Sequence, residues 1–305
     1  MHTVSVVIVS YNVCDLLVVC IQSLQKHAGN FALEVIVVDN NSTDNSCAVV
    51  KTMADVTLIE NKFNAGFSAA NNQGIAVSKG DYILLLNPDT ELKQDVITTL
   101  IANVSTQHTL IAPQLLNSDG SLQLSCFKFP SVWFVVAEAL FLHVIFRNHI
   151  YKPNQLKQNR NVEAVSGAAI LFHKSSLKNL HGLDPQLFWM EDIDFCYRNF
   201  LNGNFTYYVT DVNLIHHSGK SSTKNYHIVI SNQILSKLKY LRKHSNAVNY
   251  YIAVVFSFIH IISRLVALAL FYLFSHIARI KFKAYFFSLK KFFKYFASNN
   301  QTIIT

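Results

Sequence analysis

The sequence predicts an α/β protein built on a doubly wound, largely parallel sheet. Continuous β-branched or apolar runs, as expected of strands buried on both faces, occur at residues 4–9, 33–38 and 81–86. Segments whose apolar residues recur at helical spacing lie between these runs. Each run ends in a cluster of polar residues, and ligands of open α/β sheets bind at the carboxyl ends of the strands. The three observations together predict a ligand-binding crevice at one edge of the sheet.

The predicted elements alternate along the chain with the lengths of right-handed crossover units. Strands are predicted at residues 4–9, 33–38, 57–60, 81–86, 164–172 and 204–209. Helices are predicted at residues 14–26, at residues 68–77 and from Glu191 onward. Residues 114–163 show no regular pattern, and we expect loops and short elements there, lying over the crevice.

The charge is divided between an acidic body and a basic, apolar tail. The net charge is +8, yet all 18 acidic residues lie within residues 1–211, whereas residues 212–305 carry 13 of the 26 lysines and arginines. We therefore expect a globular domain over residues 1–230 and a helical, membrane-associating region over residues 231–305. Nucleic acid is not an expected partner, because no groove-reading motif accompanies the charge.

The tail combines an apolar segment with a basic amphipathic one. Residues 249–278 are almost wholly apolar, and beyond them apolar residues recur at helical spacing between lysines: Phe282, Tyr285, Phe286, Leu289, Phe293 and Phe296. Such helices are typical of an anionic membrane interface, although a terminal helix packed on a core is an alternative. We expect peripheral or monotopic attachment, because a spanning segment would place Arg264 in hydrocarbon at a cost of about 2.5–3.5 kcal/mol.

The cysteines and the N-terminus indicate a cytoplasmic body. The five cysteines are odd in number and show neither a C-x-x-C pair nor metal-ligand spacing, so we expect no disulfide framework. The first residues pass directly into a strand without a basic region or a cleavage site, which predicts no signal peptide.

Polar residues after three strands are candidate ligand-binding groups. Asp39 could cap a helix, or it could accept a hydrogen bond from the base or ribose of a nucleotide. Dinucleotide binding is excluded, because residues 10–15 after the first strand contain no glycine. Asp89 could belong to a simple turn or could hold a divalent cation on a diphosphate. His216 or His217 could complete such a site as a neutral imidazole, or could be a structural histidine.

The stretch FWMEDIDFCYR, residues 188–198, places three carboxylates in four residues. Acidic residues in a first helical turn are favoured by the helix dipole, with no catalytic purpose needed. The same dipole would keep Asp192 ionised, as a general base must be near neutral pH.

Six motifs occur in an order that resembles the inverting family-2 glycosyltransferases. They are VSVVIVSYN, VIVVDNNSTDNS, NAGFSAANNQG, LLLNPDT, VSGAAILFHKSSLKNLHGLDPQLFWMEDIDFCYR and IHHSGKSS. The resemblance covers about residues 4–222 and looks closest to the rhamnosyltransferase-like branch. It implies a GT-A fold, which is a Rossmann-like mixed sheet flanked by helices. It also implies transfer of a hexose from a nucleotide-diphosphate donor to a saccharide or lipid-linked acceptor of cell-surface polysaccharide, at the cytoplasmic face of the inner membrane.

The resemblance also implies roles for individual residues. The donor would contact Tyr11, Asn12, Asp39, Asn41, Asn64, Gly66, Asn87 and Asp89. A divalent cation, Mg²⁺ or Mn²⁺, would bind Asp89 and His216, with His217 as the alternative histidine; Asn87 replaces the first aspartate of the family's D-x-D motif. Asp192 would be the catalytic base, and Trp189 and Glu191 would contact the acceptor.

Two other functions compete with this interpretation. A nucleotidyltransferase also combines a nucleotide, a metal and an α/β sheet, but the loop after the first strand lacks the basic residues that it would need. A catalytically inactive scaffold protein on the membrane would share the composition and the fold.

Overall fold

The structure is a computed structural model that describes residues 2–106, 108–142, 150–217 and 226–300. It divides the chain into two compact units. The sheet unit comprises Met1–Phe129, Ile150–Pro185 and Glu191–Ser218, and the helical unit comprises Pro130–His149, Gln186–Met190 and Gly219–Thr305. A domain boundary at residue 230 stays a prediction.

Within the described residues, the sheet unit is built on a mixed nine-stranded sheet. The strands of the unit are β1 (Thr3–Ser10), β2 (Ala32–Asp39), β3 (Val56–Glu60), β4 (Tyr82–Leu86), β5 (Thr90–Leu92), β6 (His108–Leu116), β7 (Cys126–Phe127), β8 (Arg160–Val162), β9 (Ala164–Val165), β10 (Ala169–His173) and β11 (Phe205–His216). The sheet runs β3-β2-β1-β4-β10-β6-β11-β5, with β8 on β11, while β7 and β9 form a separate pair. The first four members are parallel, and β10 is antiparallel to β4 and β6.

Helices cover both faces of this sheet. They are α1 (Cys14–Lys26), α2 (Ser46–Val50), α3 (Phe67–Val77), α4 (Val96–Ala102), α6 (Leu177–Leu180) and α7 (Glu191–Leu201). Side chains of β1 alternate between two cores: Ile8 packs with Leu17 of α1, whereas Val7 packs with Ile75 of α3. Because β1 is buried on both faces, its residues from Val6 to Val9 are all apolar, without the alternation of a half-exposed strand.

The predicted fold class is confirmed, together with most of the predicted elements. The strands expected at residues 4–9, 33–38, 57–60 and 81–86 are β1 to β4, and the helix over Cys14–Lys26 is found with the expected bounds. The helix expected from Glu191 is α7. The strand expected at residues 204–209 is part of β11, which extends to His216 because it pairs with β6 and then with β5.

One expectation about the middle of the chain was wrong. Residues 164–172 form two strands rather than one, since the chain turns at Gly167 and β9 pairs with β7 while β10 enters the main sheet. Within the described residues, the segment 114–163 has the expected loops and short elements: the end of β6, β7, β8 and a helix, α5 (Val132–Ala139). These elements depend on pairing with distant segments, which leaves no local pattern.

The helical unit contains α5 and three longer helices, α8 (Tyr226–His244), α9 (Ala247–Ala269) and α10 (His276–Asn300). Among the described residues, α9 is the helix that is long and apolar enough to cross a membrane. The amphipathic helix predicted from the tail is α10, and its most deeply buried residues, where it packs on α8 and α9, lie outside the predicted stripe: Ala278, Ala284, Ser288 and Phe292. Phe286 and Phe293 of the predicted stripe are exposed.

The interior of the helical unit is partly polar. Lys237 pairs with Glu138, and Arg264 donates to the carbonyl of Glu138 at 3.0 Å. The Arg264 guanidinium lies 3.4 Å from the ring centroid of Phe141. Burial lowers the pKa of His260 to about 4, so this imidazole is neutral at pH 7.

Gly74 provides a test of the packing between α3 and β1. A Cβ at this position would overlap Cγ1 of the buried Val7. We expect Gly74→Ala to lower the free energy of unfolding by about 1–3 kcal/mol, although alanine is the better helix former. In urea unfolding, the decrease in the free energy of unfolding of the double variant Gly74→Ala/Val7→Ala should be smaller than the sum of the decreases in the two single variants. Additive losses would show that the clash is not the cause.

Candidate functional site

The carboxyl ends of β1, β2 and β4 meet at one edge of the sheet. Ser10 and Asp39 stand directly opposite each other in the parallel pairing, and Asn87 follows the last residue of β4. Among the described residues, three buried atoms at this edge have no hydrogen-bond partner: Ser10 Oγ, Asp39 Oδ2 and Asn87 Oδ1. Buried polar atoms are rarely left unpaired, which makes this edge a candidate position for the polar groups of a ligand.

The turn after β1 is joined to the loop after β2. Asn12 has a left-handed backbone with φ of 55°, and its Oδ1 accepts a hydrogen bond from the Thr43 N–H at 2.7 Å. The N–H of Asn12 donates to Ser42 Oγ at 2.9 Å, and Asp39 Oδ1 accepts from the Ser42 N–H at 2.8 Å. Asp39 is therefore held at one oxygen, which leaves Oδ2 free to contact a ligand. Tyr11 beside it is exposed.

A network of amide side chains fixes the loop that leads into α3. Asn40 is buried, and its Oδ1 accepts from the Ala65 N–H at 2.8 Å and from Asn61 Nδ2 at 3.2 Å. Its Nδ2 donates to Asn64 Oδ1 at 2.9 Å, and Asn61 also donates to Gln73 at 2.9 Å. Asn64 is among the residues expected at the site from the sequence, whereas Asn40 is not, although its position directly after a buried strand was an available signal.

Asn41 and Gly66 occupy special backbone positions in these two loops. Asn41 has φ of 69° and an exposed side chain. Gly66 has φ of 85° and lies directly before α3, and its N–H donates to Asn64 Oδ1 at 3.0 Å. Nothing lies within 4 Å of where its Cβ would be, so the position is open to solvent or to a ligand.

Asp89 and His216 come together beyond the end of β4. His216 Nε2 lies 3.2 Å from Asp89 Oδ1 and 3.4 Å from Asn87 Nδ2. His216 Nδ1 lies 2.7 Å from Gln123 Oε1, which can only accept, so Nδ1 carries a proton. Gln123 was not selected by sequence analysis, because it lies in the segment where no motif was found.

This arrangement fits a divalent cation. With its proton on Nδ1, His216 presents Nε2 both to Asn87 Nδ2, which can donate to it at 3.4 Å, and to the Asp89 carboxylate at 3.2 Å. The Asn87 amide faces His216 with its Nδ2, and its buried Oδ1 has no hydrogen-bond partner. Within the described ranges no group of three or more His, Cys, Asp and Glu side chains could hold a metal, so a cation would share its coordination with ligand oxygens.

His217 faces a different set of groups. Its Nδ1 lies 2.8 Å from Ser118 Oγ, and its Nε2 lies 3.3 Å from Glu91 Oε2. The Lys93 ammonium and His217 lower the pKa of Glu91, with the hydrogen bond from Lys93 as the largest cause. The rest of the IHHSGKSS motif, residues 218–222, lies outside the described residues.

Asp192 lies at the start of α7 and accepts a hydrogen bond from the turn between β9 and β10. Its Oδ2 accepts from the Gly167 N–H at 2.9 Å and its Oδ1 from the Ile193 N–H at 2.7 Å. Burial raises the pKa of Asp192, and the backbone hydrogen bonds only partly offset this effect. The helix dipole was expected to keep the Asp192 carboxylate ionised. The pKa is raised instead, because desolvation has a larger effect than the hydrogen bonds from the backbone amides.

Gly167 and Ala168 connect Asp192 to the end of β4. The Gly167 N–H bonds Asp192, and the carbonyl of Ala168 accepts from the Asn87 N–H at 2.9 Å. A Cβ on Gly167 would lie 3.4 Å from Asp192 Cβ and 3.7 Å from the ring of Phe67, the first residue of α3. The turn that interrupts residues 164–172 therefore brings the candidate base close to the donor-side loops.

The other acidic residues of the FWMEDIDFCYR stretch differ in environment. Asp194 is fully buried and pairs with Arg198 at 2.7 Å, so the helix dipole is not its main partner. Arg198 also donates to the carbonyls of Leu180 and Gly182. Glu191 is half-buried in the sheet unit, whereas Trp189 belongs to the helical unit. Trp189 is 43% exposed with φ of 76°, a strained conformation for a bulky residue.

Known proteins share the sequence pattern and the fold. The model of the family Glycosyl transferase family 2 matches residues 5–180, which is more than half of the chain. The low-salt glycan biosynthesis hexosyltransferase Agl10 of Haloferax volcanii is 28% identical over 171 residues, which cover 54% of this chain and 52% of that protein. The N-acetylglucosaminyl-diphospho-decaprenol L-rhamnosyltransferase of Mycobacterium tuberculosis is 26% identical over 212 residues, 63% of this chain and 69% of that protein.

A solved structure extends the similarity of the fold. GalNAc-T7 with UDP, GalNAc and Mn²⁺ superposes with a TM-score of 0.55 and 16% identity, over 82% of this chain and 53% of that one. This likeness supports the GT-A fold. The family match and the fold agree: the chain spans about half the length of the Agl10 protein that it matches, it belongs to glycosyl transferase family 2, and it has a GT-A fold.

Proposed function

We propose that this chain transfers a hexose, with rhamnose as the first candidate, from a nucleotide-diphosphate donor with inversion of the anomeric centre. The acceptor is a saccharide or lipid-linked saccharide of cell-surface polysaccharide, and transfer occurs at the cytoplasmic face of the inner membrane. The observation that carries the proposal is the set of unpaired buried atoms on Ser10, Asp39 and Asn87 at the carboxyl ends of parallel strands. That edge is where open α/β sheets bind nucleotides.

The donor occupies the loops after β1, β2 and β4. Asp39 Oδ2 accepts a hydrogen bond from the base or ribose, with Tyr11 and Asn12 at the same end. Asn41, Asn64 and Gly66 face the ribose and diphosphate, and the open space at Gly66 supports a close approach of the ligand to the backbone. The UDP in the GalNAc-T7 structure supports a nucleotide donor.

A divalent cation, Mg²⁺ or Mn²⁺, fits beside the diphosphate. Asp89 and His216 would hold it, and the GalNAc-T7 structure contains Mn²⁺. When bound, such a cation neutralises charge on the departing nucleoside diphosphate. Gln123 keeps the proton of His216 on Nδ1 and so leaves Nε2 as the ligand atom.

The transfer step requires a base on the acceptor side, and we assign it to Asp192. Its carboxylate removes the proton from an acceptor hydroxyl, whose oxygen bonds to the anomeric carbon as the bond to the diphosphate oxygen breaks. The raised pKa increases its basicity, and the Gly167 and Ile193 amides fix its orientation. Glu191 and Trp189 are proposed to contact the acceptor.

Removing the base tests the assignment of Asp192. We expect Asp192→Asn to lower kcat about 10²- to 10⁴-fold and to leave donor binding unchanged, because the amide cannot accept the proton. The measurement is turnover and binding across a panel of nucleotide-sugars with and without Mn²⁺. Asp15→Asn, in the exposed first turn of α1, is the matched control and should remain active. Equal turnover in the two variants would remove Asp192 from the mechanism.

The raised pKa of Asp192 predicts the acidic limb of the pH profile. Only the carboxylate form accepts a proton, so kcat/KM should fall as the pH is lowered through that pKa. Because the pKa is raised, the fall should begin above the pH at which an ordinary aspartate, with a pKa of 3.8, titrates. An activity that stays constant down to that ordinary value would contradict the assignment.

Gln123 provides a test of the cation site that does not depend on turnover. We expect Gln123→Leu to weaken Mn²⁺ binding about 10- to 100-fold, since Nδ1 of His216 loses its acceptor. Gln123→Glu keeps an acceptor and should retain affinity. Gln94→Leu, which removes a contact with the Asn213 carbonyl, is the control. Titration followed by the Mn²⁺ electron paramagnetic resonance signal measures all three, and equal affinities would show that Gln123 does not orient His216.

A further inference from the structure

Helix α9 exposes an apolar face and packs its polar residues inside the helical unit, which is the reverse of a helix on the surface of a soluble protein. One stripe along its whole length is apolar and exposed: Val248, Tyr251, Val255, Ile259, Val266 and Leu270. These residues follow a spacing of i, i+3, i+7, i+11, i+18 and i+22, which keeps them on one face. The opposite face is packed inside the helical unit and carries Ser257, His260 and Arg264.

The exposed apolar surface continues through the turn into α10. Leu273 is 80% and Phe274 87% exposed, and Ile277 beyond them is also exposed. Contiguous exposed apolar surfaces of this extent mark interaction sites, because soluble surfaces rarely leave such side chains in water. We name this surface, from Val248 through Ile277, the α9 stripe.

Basic residues next to the α9 stripe identify its partner. On the outer side of α10, Lys283 and Lys290 each lie three residues before an exposed phenylalanine, Phe286 and Phe293 respectively. Phe293 contacts Phe258 of α9, with ring centroids 6.1 Å apart, so the basic edge adjoins α9. The tail contains no acidic residue after Asp211. Apolar surface bordered by uncompensated lysines matches a lipid bilayer with anionic headgroups.

The packing of α9 on α10 favours one orientation in that bilayer. Phe258 of α9 contacts Phe292 of α10, and Tyr272, in the turn between the two helices, contacts Phe282 of α10. If α9 crossed the membrane, α10 beside it would bring its exposed lysines into hydrocarbon: Lys281, Lys283, Lys290, Lys291 and Lys294. Each lysine placed in hydrocarbon costs free energy, whereas all five stay at the headgroups when the two helices lie in the plane of the membrane. The in-plane arrangement is therefore favoured.

We propose that the α9 stripe inserts into one leaflet of an anionic bilayer, with α9 and α10 lying in the plane of the membrane rather than crossing it. This deepens the proposed membrane association and rests on it. The proposed donor site lies in the sheet unit, so donor binding reports separately on the glycosyltransferase.

Substitutions in the stripe test the surface, because deleting α10 would also remove its packing on α8 and α9. We expect Val255→Ser/Val266→Ser and Leu273→Ser/Phe274→Ser each to lower partitioning onto vesicles of 70% phosphatidylcholine and 30% phosphatidylglycerol about tenfold or more. Leu201→Ser, an equally exposed apolar position in the sheet unit, should partition as wild type does. Nucleotide-sugar binding should be unchanged in all variants, and pure phosphatidylcholine should bind more weakly than the mixture.

Membrane depth separates the two orientations. Single tryptophans at positions 248, 259 and 270, corrected for Trp133 and Trp189, should be quenched by brominated lipids at one common shallow depth. If the tryptophan at position 259 lay deep in the bilayer while those at positions 248 and 270 lay near its surfaces, α9 would span the membrane and the proposal would be overturned. Wild-type partitioning in both double variants would also overturn the proposal. So would an oligomer in the absence of lipid that dissociates in these variants, because the α9 stripe would then be covered by a second copy of the chain. Lost donor binding with normal partitioning would instead count against the proposed function alone.

Discussion

The parallel pairing of β1 with β2 and β4 is the constraint on which the site depends. These strands are buried on both faces, so the central residues of each are apolar and polar side chains gather where the strands end. The register places Ser10 opposite Asp39, and β4 ends two residues short of that level, at Leu86 opposite Ile8. The polar residues that follow the three strands are thereby collected on one edge, although nearly eighty positions separate the first from the last.

Much of this arrangement could be predicted from sequence because its signals are local. A run such as VSVVIV fits a strand buried on both faces, and the apolar face of residues 14–26 fits an amphipathic helix, whatever the rest of the chain does. The same holds for the start of α7, where acidic residues precede an apolar periodicity. Among the candidate site residues, those that follow strands were found for this reason, and the roles assigned to them remain predictions.

The remainder depends on contacts between distant segments. Gln123 acquires its significance from His216, ninety-three positions away, and Gly167 from Asp192. The break at Gly167 follows from the pairing of β9 with β7, which no pattern in residues 164–172 indicates. In the tail, α10 is apolar on more than one face, so periodicity gave the helix correctly but could not decide which face packs on α8 and α9.

The amide network around Asn40 has a consequence for the electrostatics of the site. Asn40, Asn61, Asn64 and Gln73 hold the loop into α3 with dipoles alone, and none of them gains or loses a proton between acidic and alkaline solution. The geometry of this loop is therefore insensitive to acidity, and screening by salt affects neutral hydrogen bonds far less than ion pairs. Sensitivity to the medium is concentrated in the few ionisable groups around it, so a change of buffer acts on the reacting groups while the framework that holds them stays constant.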